Sequence, residues 1–252
     1  MSMDSVVLMD QRGGKRLIRL GEGMLKVDGL GVLDSAKLSA AIGKSVEVAG
    51  RKFLVLSASL MDHLKHIERG AQIITAKDSA SIVQRCDIKA GDLVVEGGAG
   101  SGAMTVVLAR AVNPGGRVVS YEIRDEFAET VRRNVERTGL SSLVELKVAD
   151  INAGVSERGA KAVVLDLPEP WRALAGAWEA LAPCGHIGSY SPTMEQVKET
   201  VRAMRLLPFV DFRTTEIIER EIEVKETGTR PAFAALGHTG YITTARKVLE
   251  TF

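Results

Sequence analysis

"VVEGGAGSGAMT" (residues 94–105) is the stretch that decides the fold. An apolar run ends at the acid Glu96, glycines follow at positions 97, 98, 100 and 102, and a second apolar-rich segment begins at Met104. This order predicts a strand, a tight turn and a helix. In an open parallel sheet, ligands bind beyond the carboxyl ends of the strands, so we expect the glycine turn to face a ligand.

The segments after Asp78 repeat this alternation of strand and helix. Helical patterns separate short apolar runs, which are DLVVE (92–96), RVVSYE (117–122), LVELKVAD (143–150), AVVLDLP (162–168) and GHIGSYS (185–191). Two longer patterns, VDFRTTEIIEREIEVKE (210–226) and GYITTARKV (240–248), predict an antiparallel pair that closes the sheet. Serial β-α units of this kind predict an α/β fold with a doubly wound, Rossmann-like sheet.

The N-terminal part has a different pattern. Residues 1–58 contain short β segments separated by glycine-bearing turns such as RGGK (12–15) and GLGVLD (29–34), which predict a small β-barrel or sandwich. SLMDHLKHIERG (59–70) predicts a short helix that stops at its glycine. We therefore expect a small β domain with a linker helix over residues 1–70, and a second domain over residues 71–252.

The composition bounds the class of protein. The 252 residues are 45% hydrophobic and 26% charged, as in a globular domain, and the net charge of +1 gives no global basic field. Two cysteines make no disulfide framework, which favours a reduced, cytoplasmic setting. We expect no membrane span and no metal, because the sequence lacks an apolar run of about 20 residues and a His/Cys set with metal-ligand spacing.

Three kinds of phosphate or cofactor turn compete for the glycine stretch. A phosphate-binding P-loop needs Lys followed by Ser or Thr after the last glycine, where this chain has Ala103 and Met104. The dinucleotide pattern G-x-G-x-x-G fits neither from Gly98 nor from Gly100. The remaining pattern, E-x-G-x-G-x-G, is typical of S-adenosylmethionine-dependent methyltransferases. The glycines let the backbone come close to the methionine part of that cofactor.

Acids at the ends of the next two strands support this interpretation. Glu122 ends RVVSYE, where a carboxylate would hold the ribose hydroxyls of the cofactor. Asp150 ends LVELKVAD, near the expected position of the adenine amino group. The alternative is that both are incidental strand-end acids.

The fourth strand ends in a turn suited to catalysis, VVLDLPEPW (163–171). Asp166 would project at the mouth of the cofactor site, and Pro168 and Pro170 stiffen the turn after it. A carboxylate there would accept a hydrogen bond from the exocyclic amine of a substrate base. It would also align the ring nitrogen with the methyl group and stabilise the positive charge that develops. The alternative role is a helix cap.

Four stretches together make the chain resemble the tRNA (adenine-58-N1)-methyltransferases, in their single-subunit archaeal and bacterial form. They are RGAQIITAKDSASIV (69–83), VVSYEIRDEF (118–127), VVLDLPEPW and LGHTGYITTARK (236–247). The resemblance implies a Rossmann-like class I methyltransferase domain with a small N-terminal β domain, S-adenosylmethionine as cofactor, and a homotetramer that grips tRNA. It implies methylation of N1 of adenine in the T-loop at position 58, with position 57 left open.

The resemblance also implies the site residues. Asp166 matches the catalytic acid of the family, and Ile151 would lend its backbone amide to the adenine of the cofactor. The predicted cofactor contacts are Gly98, Gly100, Ser101, Gly102, Ala103, Met104, Glu122, Asp150, Ile151 and Asp166. One departure concerns the target base, because Thr75 and Ala76 stand where the family usually has an aromatic residue or His, often followed by Pro. Tyr190 and Tyr241 are the alternative stacking partners.

Two other functions stay open at this point. One is a methyltransferase for a protein carboxylate or a small molecule, which would not be expected to carry LDLPEPW or an N-terminal β domain. The other is a non-catalytic tRNA-binding subunit, which would lose the glycine turn and Asp166.

Overall fold

The computed structural model describes residues 5–234 and 237–250. Its N-terminal elements are, in chain order, β1 (Ser5–Met9), β2 (Lys15–Arg19), β3 (Met24–Val27), β4 (Gly31–Asp34), α1 (Ser35–Ala40), β5 (Ser45–Val48) and β6 (Arg51–Ser57). Four of these strands form an antiparallel sheet in the order β2-β1-β6-β5, and β3 pairs with β4 in a separate hairpin. This part has its own core, which includes Val6, Leu8, Leu33, Phe53 and Val55.

The hairpin corrects one sequence interpretation. GLGVLD was expected to be a turn, but its last four residues form β4, paired from Gly31 to Asp34 with β3. Leu33 is buried in the N-terminal core, and the Asp34 carboxylate caps α1 by accepting hydrogen bonds from the amides of Ala36 and Lys37. Burial and capping thus outweigh the glycine signal here.

Two short helices follow, α2 (Leu60–Lys65) and α3 (Ala76–Arg85), joined by the irregular residues 66–75, called here the linker segment. A capping box between Ser59 and Asp62 starts α2. The stretch DSASIVQRCD (78–87) by itself predicts a helix capped by Asp78 or Ser79, whereas the N-cap of α3 in the structure is Thr75. Asp78 is buried, and its carboxylate binds side chains from elsewhere in the fold, so it does not cap the helix.

The main sheet occupies the rest of the chain. Its elements, and a small ladder inserted among them, are β7 (Leu93–Gly97), α4 (Ala103–Val112), β8 (Arg117–Glu122), α5 (Asp125–Glu136), β9 (Val144–Val148), β10 (Ala160–Leu165), α6 (Leu174–Ala180), β11 (Leu181–Ser191), α7 (Met194–Met204), β12 (Phe209–Glu216), β13 (Ile222–Lys225), β14 (Gly228–Pro231) and β15 (Tyr241–Lys247). The seven strands lie in the order β12-β15-β11-β10-β7-β8-β9. The other six strands of this sheet run in one direction, and β15 runs antiparallel to them. The predicted α/β, Rossmann-like sheet is confirmed.

The strand order places the ligand edge. The chain runs outward from β7 through β8 to β9, then returns to the other side of β7 with β10 and β11. The carboxyl ends of β7 and β10 therefore flank the switch point, where open α/β sheets bind ligands. Apolar clusters cover both faces of the sheet, one packed around Leu165 and Leu174 and the other around Ile82 and Leu108. Within the described residues, no helix has both the length and the apolarity to cross a membrane.

The closing pair of strands is shorter than the sequence suggested. The stretch 210–226 was expected to be one strand, but β12 ends at Glu216, opposite Tyr241 at the start of β15. A strand beyond Glu216 would have no partner in the main sheet, because β15 does not extend past Tyr241. Residues 222–231 instead fold into the two-stranded ladder of β13 and β14.

Candidate functional site

The turn after β7, residues 98–102, is called here the glycine turn. Gly98 has a φ of +86°, and a Cβ at this position would clash with the carbonyl oxygen of Asp166. The Asp166 amide donates a hydrogen bond to the carbonyl of Gly97 at 2.9 Å. The absence of a side chain at Gly98 therefore lets the end of β7 lie directly against the turn that carries Asp166.

The end of the glycine turn is built into the helix layer. Gly102 is the N-cap of α4 in a left-handed conformation, and a Cβ there would lie 3.2 Å from Val131 on α5. The side chains of the next two residues, Ala103 and Met104, are buried in the apolar clusters. The Ser101 side chain is also buried, and its hydroxyl bonds the backbone of residues 70 and 71.

Glu122 ends β8 and faces the glycine turn. Its side chain is buried, with Oε2 accepting from the amide of Gly100 at 2.8 Å. Its other oxygen accepts from the amide and the Nε of Arg124, both at 3.1 Å. The guanidinium of Arg124 lies 3.6 Å above the ring centre of Phe127. The carboxylate is thus held in one orientation by the turn on one side and by a cation on the other.

Asp150 and Ile151 follow β9 at the same edge. The exposed Asp150 is the N-cap of a short 3-10 helix, and its Oδ1 accepts from the amide of Asn152 at 2.9 Å. The Ile151 side chain is buried against Gly97, where an added Cβ would meet its Cδ1 at 2.7 Å. A single 3-10 turn therefore presents one exposed acid and one apolar surface toward the strand ends.

These residues surround one cavity of about 380 Å³. Its walls come from the strand ends and the turns that follow them, namely Gly98, Tyr121, Glu122, Ile123, Arg124, Ala149, Asp150, Ile151, Asn152, Asp166, Leu167, Pro168 and Glu169. Of the predicted site residues, Gly98, Glu122, Asp150, Ile151 and Asp166 are brought together here. The remaining five, residues 100–104, lie in the turn and the first helical turn behind this wall and are not among its lining residues.

Burial shapes the charge of the site. The pKa of Asp166 is raised to about 7 by desolvation in the cavity wall. Burial also raises the pKa of Glu96 to about 7, against hydrogen bonds that its Oε2 accepts from Thr105 and Ser120. Acids with pKa values near 7 gain or lose their proton near neutral pH. Perturbed pKa values of this kind are frequent at functional sites.

A second polar cluster joins two stretches that are far apart in the sequence. The buried Asp78 carboxylate accepts from Lys77 Nζ at 2.8 Å, from Thr75 at 2.8 Å and from Thr239 at 2.7 Å. Lys77 also donates to the Thr239 hydroxyl at 2.6 Å, and the Tyr190 hydroxyl donates to the Thr239 carbonyl at 2.7 Å. The KD (77–78) and HTG (238–240) parts of the motifs are thus in contact in the fold. Lys77, Asp78 and Thr239 are called here the charged cluster.

The tyrosines considered for base stacking differ in exposure. Tyr190 is 7% exposed and packs in the apolar cluster beneath α3, so its ring offers little surface for a base. Tyr241 is half-buried, with its ring centroid 4.8 Å from that of His238. Of the two, only Tyr241 lies at an accessible surface. Among the described residues, no group of three or more His, Cys, Asp or Glu could hold a metal ion.

Residues 62–229 match the family described as "tRNA methyltransferase complex GCD14 subunit". The chain belongs to this family. The match begins within α2, ends within β14, and includes α3, the glycine turn and all the residues that line the cavity, so the site described above lies within the family match.

Individual relatives and solved structures agree with this assignment. The TrmI tRNA (adenine(57)-N(1)/adenine(58)-N(1))-methyltransferase of Methanocaldococcus jannaschii is 35% identical over 95% of this chain and 94% of its own length. The TrmI tRNA (adenine(58)-N(1))-methyltransferase of Thermus thermophilus is 34% identical over 96% of each chain. The resemblance inferred from the sequence motifs is therefore confirmed.

Two solved structures extend the likeness to the fold. A SAM-dependent O-methyltransferase of Thermotoga maritima superposes with a TM-score of 0.87 at 34% identity, covering 100% of this chain and 96% of that one. The tRNA (m1A58) methyltransferase TrmI of Aquifex aeolicus has a TM-score of 0.78 at 28% identity, covering 99% and 98%. Both cover the N-terminal sheet as well as the main sheet.

Sequence reasoning missed several residues of this GCD14-family site. In the sequence, Arg124 and Asn134 are positions in an amphipathic helical pattern over residues 124–139, Asp78 is a candidate helix cap, and Lys77 and Thr239 are positions within the family motifs. Their hydrogen-bond partners lie between 1 and 162 positions away in the chain. For Arg124 the acid two residues earlier was an available signal, and for Lys77 the adjacent Asp78 was another. For the bonds to Thr239 and Glu68, no local pattern identifies the partner.

Proposed function

We propose that this protein transfers the methyl group of S-adenosylmethionine to N1 of adenine 58 in the T-loop of tRNA, with position 57 as a second position to test. The observation that carries the proposal is the cavity itself. Gly98 of the glycine turn and the acids Glu122, Asp150 and Asp166 follow adjacent parallel strands and line one cavity, in a chain of a tRNA methyltransferase family.

The chemistry of the cavity wall fits S-adenosylmethionine. A ribose carries two hydroxyl donors, and the carboxylate of Glu122 is a charged acceptor fixed by Gly100 and Arg124. The exposed carboxylate of Asp150 is an acceptor for an adenine amino group, and the backbone of Ile151 lies beside it. Such charged hydrogen bonds contribute about 1.5–3 kcal/mol each. When bound, the cofactor supplies a sulfonium methyl group.

Asp166 is proposed as the catalytic acid group of this site. Its carboxylate would accept a hydrogen bond from the N6 amine of the target adenine and align N1 with the methyl carbon. The same carboxylate would stabilise the positive charge that transfer of the methyl group to N1 would leave on the adenine ring. The backbone bond from Asp166 to Gly97 holds this group at the cavity wall.

The test is methyl transfer to unmodified tRNA with the position mapped by mass spectrometry. We expect 1-methyladenosine at position 58 when enzyme, cofactor and tRNA are present. Matched transcripts with A58 or A57 replaced by guanine separate the two positions. Methylation that persists in a transcript with both A57 and A58 replaced, or that occurs on another atom, contradicts the proposal.

The name of the Thermotoga maritima neighbour favours a second candidate, an oxygen acceptor. The same assay therefore includes a small phenolic acceptor in place of tRNA. Methyl transfer to the phenol without transfer to tRNA would support O-methylation of a small molecule. A purely tRNA-binding role is the third possibility. Tight tRNA binding without any methyl transfer would support that role and contradict the proposed function.

The closing segment, 210–244, is proposed to help assemble a homotetramer. Its ladder of β13 and β14 exposes Ile222 and Val224, Phe233 is exposed just after it, and an isolated two-stranded ladder is at best marginally stable in water. Exposed apolar surface of this kind marks interaction sites. Light scattering should give four times the chain mass of 27.1 kDa, and a monomer at micromolar concentration would overturn this proposal.

Residues 1–70 are proposed as a separate domain that contacts tRNA, in a protein that works in the cytoplasm. The exposed side chains of Arg12, Arg51 and Lys52 lie together at one end of the N-terminal sheet, with Asp10 and Glu47 beside them. Phosphate contacts by such side chains make binding salt-dependent. Reversing the charge of Arg51 and Lys52 should weaken tRNA binding and reduce its salt dependence without changing cofactor binding.

A further inference from the structure

The linker segment crosses the glycine turn without regular secondary structure of its own. Backbone amides and carbonyls in such a segment need partners wherever the segment packs against the fold. Over residues 68–71 these partners are two side chains from the main-sheet part of the chain. One is Ser101, inside the glycine turn, and the other is Asn134, on α5.

The Ser101 hydroxyl serves only the linker segment. Its Oγ accepts from the amides of Gly70 at 3.0 Å and Ala71 at 2.9 Å, and it donates to the carbonyl of Ala71 at 3.0 Å. The residue is 2% exposed. A Cβ on Gly100 would lie 3.6 Å from the Cβ of Ala71, so the linker segment is in van der Waals reach of the turn.

Asn134 bonds the linker segment and the glycine turn at once. Its Oδ1 accepts from the amide of Glu68 at 2.9 Å, and its Nδ2 donates to the carbonyl of Glu68 at 2.8 Å. The same Nδ2 donates to the carbonyl of Ser101 at 2.8 Å. Asn134 is 3% exposed in the last turn of α5, and burying a carboxamide without hydrogen-bond partners is costly, so these bonds are needed where it lies.

Resting on the proposed function, we infer that Ser101 and Asn134 are positioning residues for the cofactor site. They clasp residues 68–71 onto the glycine turn and so hold the Gly100 amide against Glu122. The pair is called here the neutral clasp. Because the clasped segment and the turn share these bonds, cofactor binding at the turn and docking of the linker segment stabilise each other. Such coupling is reciprocal.

The first test uses the unaltered protein. Hydrogen exchange at the amides of Glu68, Gly70 and Ala71 is measured with and without S-adenosylmethionine. We expect the cofactor to slow their exchange by about tenfold, because opening the clasp would have to disturb the occupied turn. Unchanged exchange at all three amides, in protein that calorimetry shows to be saturated, overturns the inference.

The second test uses Ser101→Ala and Asn134→Ala, with Thr130→Ala as the matched control. Thr130 is buried on the same helix, and its hydroxyl donates to the Glu126 carbonyl and accepts from Arg133. Arg133 pairs with the side chain of Glu68, so the control removes no bond to the backbone of residues 68–71. We expect about tenfold weaker cofactor binding for each clasp variant, from the loss of the three hydrogen bonds described above for each side chain, and affinity near the wild type for the control. The loss should fall on KM for the cofactor more than on kcat.

The outcomes separate this inference from the proposed function. If the wild type binds no S-adenosylmethionine, the proposed function fails. If the wild type binds it and both clasp variants bind equally well, only the clasp fails. A loss of affinity equal in the Thr130→Ala control would show a general weakening of α5 and would also overturn the clasp.

Discussion

Two buried polar clusters hold irregular segments of this protein against its regular elements, and they do so by different means. The neutral clasp uses a hydroxyl and a carboxamide to fix residues 68–71 beside the cofactor side of the cavity. The charged cluster uses an ion pair, Lys77 with Asp78, to fix Thr239 just before β15. Both clusters join positions that are far apart in the chain.

The difference in charge sets what each cluster contributes. Breaking a neutral hydrogen bond leaves one unpaired group, whereas removing one partner of a buried ion pair leaves an uncompensated charge. Lys77 and Asp78 side chains are 9% and 0% exposed, so little solvent reaches either. We therefore interpret the charged cluster as mainly a determinant of folding and the neutral clasp as mainly a determinant of cofactor affinity.

The substitution Asp78→Ala is the strongest test of the proposed difference between the two clusters. It should lower the free energy of unfolding by about 3–5 kcal/mol, because Lys77 is left buried without its counter-ion. Urea unfolding followed by circular dichroism measures the change. The control is Asp87→Asn, which keeps a side chain suited to the positive φ at this position and removes the charge of an exposed carboxylate that pairs with Lys89 and Lys161. Its effect should be much smaller, because pairs that include an exposed charge contribute little. Equal effects of the two substitutions would contradict the ranking.

Asp166→Ala tests the acid that is proposed to act on the substrate base at the cavity wall. We expect turnover to fall by about 10²–10³, the range for one preorganised electrostatic contact, while cofactor affinity falls less. Single-turnover methyl transfer to tRNA and calorimetry with the cofactor are measured on the same preparation. A wild-type rate would make Asp166 a structural or capping acid only.

Glu122→Ala tests the cofactor side directly. Loss of the charged hydrogen bonds should weaken cofactor binding by about 1–3 kcal/mol. The effect should exceed that of either clasp variant, because Glu122 is proposed to touch the ribose and the clasp acts through the turn. Isothermal calorimetry decides this, and unchanged affinity or tight NAD binding would refute the cofactor assignment.

The smallest effect is a pH dependence of the chemical step. The pKa of Asp166 is raised to about 7, so its carboxylate form is lost as the pH falls below that value. We expect single-turnover methyl transfer to be about tenfold slower at pH 6 than its plateau above pH 8, one decade per unit below the pKa. Glu96→Gln removes the other acid with a pKa near 7 and should leave this profile in place.

The stability of the protein should depend on pH in the opposite direction. A carboxyl whose pKa is raised in the folded state binds its proton more tightly there than in the unfolded chain. The contribution of Asp166 and Glu96 is therefore most favourable below about pH 4 and declines as the pH rises to about 7. Thermal unfolding of Glu96→Gln against the wild type should show a smaller decline over this range.

The sequence by itself determined the central sheet and the edge of that sheet at which a ligand is expected to bind. The periodicity of strands and helices and the glycine pattern can be recognised from residues that are close in the sequence. Acids that follow parallel strands lie at the same edge of the sheet regardless of the conformation of the loops. The positions of Glu122, Asp150 and Asp166 in the chain were therefore enough to predict that they lie together. The motifs also determined the family, since their combination is far more specific than the glycine turn alone.

Only the tertiary structure decided where β12 ends, which residue caps α3, and how the linker segment is held. Each depends on partners that come from elsewhere in the chain: Tyr241 for β12, Thr239 for Asp78, and Asn134 for Glu68. A local sequence pattern indicates which polar groups need hydrogen-bond partners, but it does not indicate which distant residues the fold brings within hydrogen-bond distance. The clasp and the charged cluster were invisible in the sequence for that reason.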